Sequence, residues 1–202
     1  MHINEYNPKQ ERAETTKNRI LDAALALFSQ KGFHGTNTKE IAAAAGLATG
    51  SVYRYFKDKK ALFIGVCSRV ETGMENDIFE YGRSLMQQGI SPKEVLERMV
   101  AISLEAHHPR RKFHMEVIAL QARDPEVAAL VKKREQRIKE SILEFFRPMA
   151  SAFRVSDLKT AAELTHMVLE EAARRTVIEE SETDSALVQA ELCDMLTRYL
   201  FY

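Results

Sequence analysis

The sequence contains no tryptophan, only two cysteines and only five prolines among its 202 residues. Cys67 and Cys193 lie far apart and give no indication of a disulfide framework or a zinc cluster. No apolar run approaches the roughly 18 residues that a membrane-spanning helix needs, and residues 1–6 show no secretory signal pattern. We therefore expect a soluble cytoplasmic protein without membrane association, and nothing in the sequence calls for a cofactor.

Charge is balanced overall, with 29 basic and 29 acidic residues, but it is unevenly distributed. Residues 1–60 carry ten lysines and arginines and six acidic residues, so the rest of the chain is slightly acidic. A basic segment on an acidic body favours a polyanionic partner, although ordinary scatter of charge would give the same counts.

Apolar residues recur at helical spacing along most of the chain, and no segment alternates with period two for long. Ile20, Ala24, Leu27 and Phe28 form one such stripe. Gly32 follows at the position expected for a helix C-cap, and Thr38 is predicted to cap a short second helix. The pattern predicts an all-α protein of about nine helices.

Later helix starts carry clear capping signals. Ser91–Glu94 reads as a capping box with proline at the first helical position. Asp124-Pro125, Ser156-Asp157 and Thr183-Asp184 are predicted to begin three further helices, and Pro148 is predicted to end or kink the helix before it.

Residues 38–56 predict two short helices joined by a glycine-containing turn, the arrangement of a helix-turn-helix. The second helix of such a motif enters the major groove of DNA. When this helix is drawn at 100° per residue, Val52 and Phe56 point inward. Gly50, Ser51 and Arg54 then point outward, and the outward face lacks the large aliphatic residues of a core.

The side chains on and near this outward face suit DNA contacts. Hydroxyl groups can donate to phosphate oxygens, whereas arginine, lysine and threonine can reach base edges. Gly50 allows the backbone to come close to a ligand surface. The candidate phosphate contacts are Thr38, Ser51, Tyr53 and Tyr55, and the candidate base contacts are Lys39, Thr49 and Arg54.

Residues 14–74 resemble the DNA-binding domain of the TetR family of transcriptional regulators. The resemblance rests on four blocks at matching spacing, Thr38–Ala42, Ala45–Leu47, Thr49–Phe56 and Lys57–Leu62. It implies an additional phosphate contact at Lys59 and an additional base contact at Gly50. Asn37 departs from the family pattern, in which a threonine often precedes the cap.

In residues 75–202 the resemblance is only architectural. It implies a larger helical domain that binds a small-molecule effector and forms a homodimer through its last two helices, with the ligand releasing the protein from DNA. The broad apolar face of the last helix independently favours a partner helix. A dimer would also match a palindromic operator. We predict two domains, at residues 14–74 and 75–202.

The effector is predicted to be small and either apolar or amphipathic. Methionine and aromatic side chains could line an adaptable pocket, and polar residues among them are costly to bury without a partner. The candidate ligand-binding residues are Met99, Met115, Ile118, Phe146, His166, Glu170 and Arg174. In the alternative interpretation, the apolar members are ordinary core and the polar members form ion pairs along an exposed helix face.

Two basic segments fall within the second domain. We interpret His107–His114 as a solvated helix corner, with attraction of an acidic ligand as the alternative. Lys132–Arg134 lies beside glutamates and reads as an exposed face with salt bridges.

An enzyme of another class remains as an alternative. Glu105-x-x-His108 and Glu163-x-x-His166 repeat the spacing with which helical bundles bind two iron or manganese ions, and Glu116 and Glu170 could complete the ligands. Against this, Pro109 ends the helix at one ligand, and the helix-turn-helix is left unexplained. We therefore interpret the chain as a ligand-responsive DNA-binding regulator, predicted to be a repressor.

Overall fold

The computed structural model describes residues 8–175 and 185–202, and these residues form α-helices with short 3-10 segments and no strands. The predicted all-α class is confirmed. The helices are α1 (Pro8–Lys31), α2 (Thr38–Ala44), α3 (Thr49–Tyr53), α4 (Lys59–Gln87), α5 (Pro92–Glu105), α6 (Arg111–Gln121), α7 (Pro125–Phe146), α8 (Leu158–Ala173) and α9 (Ser185–Leu200). The predicted cap at Thr183-Asp184 lies outside the described residues.

The chain divides into two compact units between Arg69 and Val70. The first unit contains α1, α2, α3 and the start of α4, and the second contains the rest of α4 and all later helices. The predicted domain boundary after residue 74 also falls within α4.

Aromatic and aliphatic side chains fill the core of the first unit. The predicted stripe on α1 is confirmed for Ile20, Ala24 and Phe28, which are fully buried, whereas Leu27 is only half-buried. Phe28 packs edge-on against Phe63 of α4, with ring centroids 5.2 Å apart. The short helices α2 and α3 belong to the same unit as this core of α1 and α4.

The start of α2 differs from the prediction by one residue. Asn37, not Thr38, is the N-cap: its side chain accepts a hydrogen bond of 2.9 Å from the Glu40 amide, and the Glu40 carboxylate accepts one of 3.4 Å from the Asn37 amide. The reason is conformational, since Asn37 has the extended backbone of a cap and Thr38 is already helical.

Three of the predicted helix starts in the second unit are confirmed. Ser91 accepts a hydrogen bond from the Glu94 amide at 3.3 Å. Asp124 caps α7 and Asp157 caps α8 in the same way. The helix before Pro148 ends at Phe146, and a 3-10 segment follows. These local signals divide the second unit into helices whose apolar faces share one core.

Candidate functional site

A tight turn at residues 45–48 joins α2 to α3. Gly46 has a φ of 65°, a left-handed conformation that side chains other than glycine rarely adopt. Arg19 of α1 donates a hydrogen bond of 2.7 Å to the carbonyl oxygen of Ala45 and so ties the turn to α1. The two short helices therefore hold a fixed orientation to each other and to α1.

The inner side of α3 is packed as the sequence predicts. Val52 is fully buried and Phe56, just beyond the end of α3, is 8% exposed. Phe56 can approach α4 closely because position 65 is glycine: a Cβ added there would lie 2.9 Å from Phe56 Cε1. Gly65 therefore determines how near the end of the α3 segment comes to α4.

The outer side of α3 is open. Gly50, Tyr53 and Arg54 are exposed, and a Cβ added to Gly50 would meet no atom of the described residues within 4 Å. The predicted outward orientation of Gly50 and Arg54 is confirmed, whereas Ser51 is only half-exposed. The helix ends at Tyr53 rather than at the predicted Phe56, so Arg54 lies in the following turn.

The other candidate DNA contacts differ in how much surface they present. Lys39 is exposed, Thr49 and Tyr55 are half-buried, and Thr38 is buried. Their contacts with DNA stay predictions. Thr38 is the least exposed of these residues, so its predicted contact has the least structural support.

Lys59 has partners within its own unit. Its Nζ donates to the carbonyl oxygens of Phe33, at 2.7 Å, and Thr36, at 2.8 Å, and lies 4.4 Å from the centroid of the Phe33 ring. Burial lowers the pKa of this ammonium group. Two of the three N–H groups are committed to the loop after α1, so a phosphate contact would have to use the third.

The second unit contains a cavity among α4, α5, α6, α7 and α8 with a volume of about 120 Å³. A single water needs roughly 10–15 Å³ on the same measure, so there is room for a small organic molecule. The apolar lining consists of Met74, Ile78, Phe79, Leu96, Met99, Val100, Ile138, Ile142, Phe145, Phe146 and Leu169. The polar lining consists of Glu71, Glu75, Ser103, His107, His114, Arg134, Thr165, His166 and Glu170.

Four of the seven predicted ligand-binding residues line this cavity, namely Met99, Phe146, His166 and Glu170. The other three do not line it. Met115 and Ile118 are 42% and 40% exposed because they lie on the side of α6 opposite its buried residues. Arg174 pairs with Glu171 instead of Glu170, at 2.7 Å.

Arg134 organises the polar end of the cavity, contrary to the predicted exposed face. It is 8% exposed, donates to Glu170 of α8 at 2.5 Å and lies 3.5 Å from a carboxylate oxygen of Glu71 on α4. A sequence signal for this burial exists, since position 134 continues the apolar spacing of Val127 and Val131 on α7.

Two histidines of the predicted solvated corner belong to the cavity wall. His107 Nδ1 lies 2.8 Å from the carbonyl oxygen of Ser103. Because a carbonyl only accepts, Nδ1 is the donor. Burial lowers the pKa of His107, so its Nε2 is an acceptor. Burial also lowers the pKa of His114 to about 3 and lowers that of His166. The cavity therefore presents neutral imidazoles.

The cavity carboxylates have different electrostatic environments. Burial raises the pKa of Glu71 to about 6, and the charge of Arg134 offsets only part of this effect. Burial also acts on Glu170, but the charge and hydrogen bond of Arg134 outweigh it and lower its pKa. Glu75 accepts from Arg137 at 2.7 Å and from Ser141 at 2.5 Å. Glu71 is thus the least compensated of the three.

Three buried polar atoms of the cavity residues have no hydrogen-bond partner in the described protein: His114 Nε2, Arg134 Nε and Thr165 Oγ1. Buried polar groups are normally paired, and leaving one unpaired costs about 1–3 kcal/mol. Unpaired polar atoms in a cavity wall are what a polar ligand would satisfy.

The described residues contain no group of three or more histidine, cysteine or acidic side chains that could hold a metal ion. Glu105 and Glu163, two ligands of the alternative metal site, are exposed, and the His108 side chain lies outside the described part. None of the described helices is long and apolar enough to cross a membrane.

A turn-linked helix pair with an open outer face defines a DNA-binding protein of the helix-turn-helix class. Comparisons with known families define it further. The model described as "Bacterial regulatory proteins, tetR family" matches residues 20–66, and "Tetracyclin repressor-like, C-terminal domain" matches residues 91–200. The chain belongs to the TetR family of bacterial transcriptional regulators, whose members are not enzymes, so the alternative of a metal enzyme is wrong.

Individual proteins agree with this assignment. The HTH-type transcriptional regulator UidR of Escherichia coli K12 is 29% identical over 154 residues, 75% of this chain and 76% of its own length. AcrR of Shigella flexneri is 38% identical over 112 residues, 54% of this chain and 50% of its own.

Solved structures share the fold. A structure described as a putative TetR-family transcriptional regulator of Mesorhizobium loti has a TM-score of 0.80 and 21% identity. The similarity covers 95% of this chain and 99% of that one. Salmonella enterica GusR has a TM-score of 0.72 and 22% identity, covering 98% and 99%.

Proposed function

We propose that the protein is a homodimeric transcriptional repressor that binds a palindromic operator and leaves it when a small amphipathic effector occupies the cavity. The observation that carries the proposal is the open face of α3 around Gly50, which is backed by a buried inner side and where an added Cβ would meet no described atom within 4 Å. A helix presented in this way can enter a major groove.

The proposed DNA contacts follow from exposure and chemistry. Lys39, Thr49 and Arg54 would read base edges, and Gly50 would allow close approach of the backbone. Hydroxyls of Thr38, Ser51, Tyr53 and Tyr55 would bind phosphates. Lys59 would support this surface by holding the loop that precedes α2, with one N–H left for a phosphate.

The proposed dimer forms through α8 and α9. Large apolar side chains are exposed on both helices, namely Leu164, Met167, Leu187 and Met195. Such residues are ordinary when single, but a group of them on two helices marks a protein interface. Two recognition helices related by a dyad read half-sites roughly 34–36 Å apart.

In the proposed mechanism, effector binding releases the protein from DNA by moving α4. This helix begins at Lys59 in the first unit and contributes Glu71, Glu75 and Ile78 to the cavity wall. An effector that displaced α4 would change the spacing of the two recognition helices in the dimer. Structures of the DNA-bound and effector-bound dimers with the same spacing would contradict this step.

Selection of bound fragments from random duplex DNA tests the function directly. We expect enrichment of one palindromic sequence bound by two subunits, and enrichment of no sequence would refute operator binding. Thr49→Ala should broaden the selected sequences at one position in each half-site, because a base-edge contact is worth about 1–3 kcal/mol of discrimination. Thr15→Ala, at an exposed position of α1, is the matched control and should leave the preference unchanged.

Reporter expression from a promoter that carries the selected operator decides between repression and activation. A repressor lowers expression, and deletion of its gene raises it. The opposite result would identify an activator while leaving the DNA-binding assignment intact.

A further inference from the structure

We propose that the effector carries an uncharged, hydroxyl-bearing head on an apolar body, and that this head binds among Arg134, Thr165 and His107. This inference rests on the proposed role of the cavity as the effector site. It concerns the chemistry of the head group, which the family assignment leaves open.

The cavity has a polar end and an apolar end. Four side chains form the polar end: Glu71 of α4, His114 of α6, and Thr165 and Glu170 of α8. The apolar end is formed by later residues of α4 and α7, including Phe79 and Phe145, whose rings lie 5.7 Å apart. A ligand that fills both ends must be amphipathic.

The polar end contains a donor that needs an oxygen atom. Arg134 Nε carries a hydrogen at all accessible pH values and has no partner, and the residue is 8% exposed. Thr165 Oγ1 is also unpaired and its residue is 2% exposed. A ligand oxygen can accept from both groups, whereas an ammonium group, which only donates, would leave the Arg134 Nε–H unsatisfied.

The same end also contains a hydrogen-bond acceptor that is not a carboxylate. His107 is neutral and its Nδ1–H is held by the Ser103 carbonyl, so its Nε2 can only accept. Glu170 offers a further acceptor oxygen. A head group that both accepts and donates at one atom is a hydroxyl.

The charges at this end exclude an anionic head. Arg134 is already paired with the half-exposed Glu170 at 2.5 Å, and the buried carboxylate of Glu71 lies 3.5 Å from the same guanidinium. A ligand carboxylate would add a third negative charge beside one guanidinium, at a site where burial already penalises the charge of Glu71. An uncharged head satisfies the unpaired atoms without this cost.

Three probes with one apolar body separate the head groups: 3-phenylpropan-1-ol, 3-phenylpropanoate and 3-phenylpropylammonium. Calorimetric titration of the full chain without DNA measures the affinity for each. We expect the alcohol to bind at least about tenfold more tightly than either charged probe, because the carboxylate adds a negative charge beside Glu71 and Glu170 and the ammonium leaves the Arg134 Nε–H without an acceptor. Tighter or equal binding of a charged probe, or no binding of the alcohol, overturns the proposal.

A pair of threonine variants locates the head. Thr165→Val removes a hydroxyl that has no protein partner, so the fold should persist while affinity for the alcohol falls about three- to tenfold and affinity for the charged probes does not change. Thr197→Val removes a buried hydroxyl bonded to its own helix, away from the cavity, and should leave all affinities unchanged. Unchanged alcohol affinity in Thr165→Val would overturn the placement.

Release of selected operator DNA by the alcohol is measured separately. If the alcohol binds with the expected head-group preference but does not release DNA, the proposed effector role fails and the head-group preference of the cavity stands. If a charged probe binds best and does release DNA, the regulator proposal stands and the present inference fails.

Discussion

The ammonium group of Lys59 donates a hydrogen bond of 2.7 Å to the carbonyl oxygen of Phe33. This bond ties the first residue of α4 to the loop after α1, and a second bond reaches Thr36 in the same loop. Asn37, the cap of α2, follows directly. The side chain that the TetR resemblance assigns to a phosphate therefore also holds the entrance of the helix-turn-helix.

Replacement of Lys59 by alanine distinguishes these two roles. We expect Lys59→Ala to lower the free energy of unfolding by about 1–3 kcal/mol, because two carbonyl groups lose their donor. DNA affinity should fall while the slope of log affinity against log salt changes by less than about one. Urea denaturation and titrations at several salt concentrations measure both quantities.

The matched control is Lys39→Ala, which removes an exposed lysine of α2. It should leave the free energy of unfolding unchanged while weakening DNA binding. If Lys59→Ala instead left stability intact and reduced the salt slope by one full charge, the phosphate contact would be its main role.

Gly50→Ala should separate stability from function. A Cβ at this position meets no protein atom, and alanine favours a helix over glycine by up to about 1 kcal/mol, so stability should stay equal or rise. DNA binding should weaken about tenfold, since overpacking a close interface costs roughly 1–3 kcal/mol. Thermal unfolding and operator titration give the two results.

Gly73→Ala provides the comparison for Gly50→Ala. Gly73 is also helical and exposed, with open space around an added Cβ, but it lies in the second unit. It should show a similar effect on stability and no change in DNA binding. Equal DNA affinity in both variants would argue against close approach of DNA at Gly50.

Met167→Lys tests the proposed dimer interface. Met167 of α8 is 61% exposed, and burial of a lysine charge in an apolar interface is unfavourable. We expect the dissociation constant of the dimer to rise at least about tenfold. Met115→Lys changes an exposed methionine on α6 and should leave the dimer intact. Analytical ultracentrifugation across a concentration series would show the reverse pattern if the interface used α6.

Glu71 should make stability depend on pH. Its pKa rises from 4.5 to about 6 in the folded protein, mainly through burial, so the folded state binds the proton more tightly than the unfolded state. Its contribution to stability is therefore complete below pH 4.5 and is lost as the pH rises through 6. At pH 8 we expect Glu71→Gln to be more stable than the unmodified protein by about 2 kcal/mol.

This stability difference should narrow as the pH falls from 7 towards 4.5. Arg134 and Arg137 of α7 and Glu170 of α8 face Glu71 in both proteins. Protonation of the buried cavity histidines at acid pH lowers the stability of both proteins alike, so the comparison isolates Glu71. Denaturant unfolding at pH 8, 7 and 5.5 measures it. A difference that did not change with pH would show that the raised pKa is absent.

Features set by a few neighbouring residues could be predicted from the sequence. Asp124 and Asp157 cap their helices as expected because the cap side chain bonds to amides two or three residues away. The one-residue error at Asn37 has the same local origin, since asparagine and threonine both make good caps. The inward positions of Val52 and Phe56 follow from helical period alone.

Features that depend on packing between distant helices could not be predicted in the same way. Arg134 and His114 read as exposed because charged and polar residues usually are, and their burial is decided by α4 and α8 at the other side of the cavity. The apolar character of Met115 and Ile118 predicts that they line the pocket, but composition does not tell which side of α6 they occupy. Only the rotation of α6 shows that Phe113 and Val117 face inward instead.

Position 65 determines how closely the segment after α3 approaches α4, although it lies on α4 and not on the outer face of α3. With hydrogen as its only side chain, Gly65 lets the Phe56 ring settle against the α4 backbone. A methyl group there would lie 2.9 Å from Phe56 Cε1, so the ring would have to shift. The pose in which the protein would meet the proposed operator therefore depends on a residue of α4 that is not among the proposed DNA contacts.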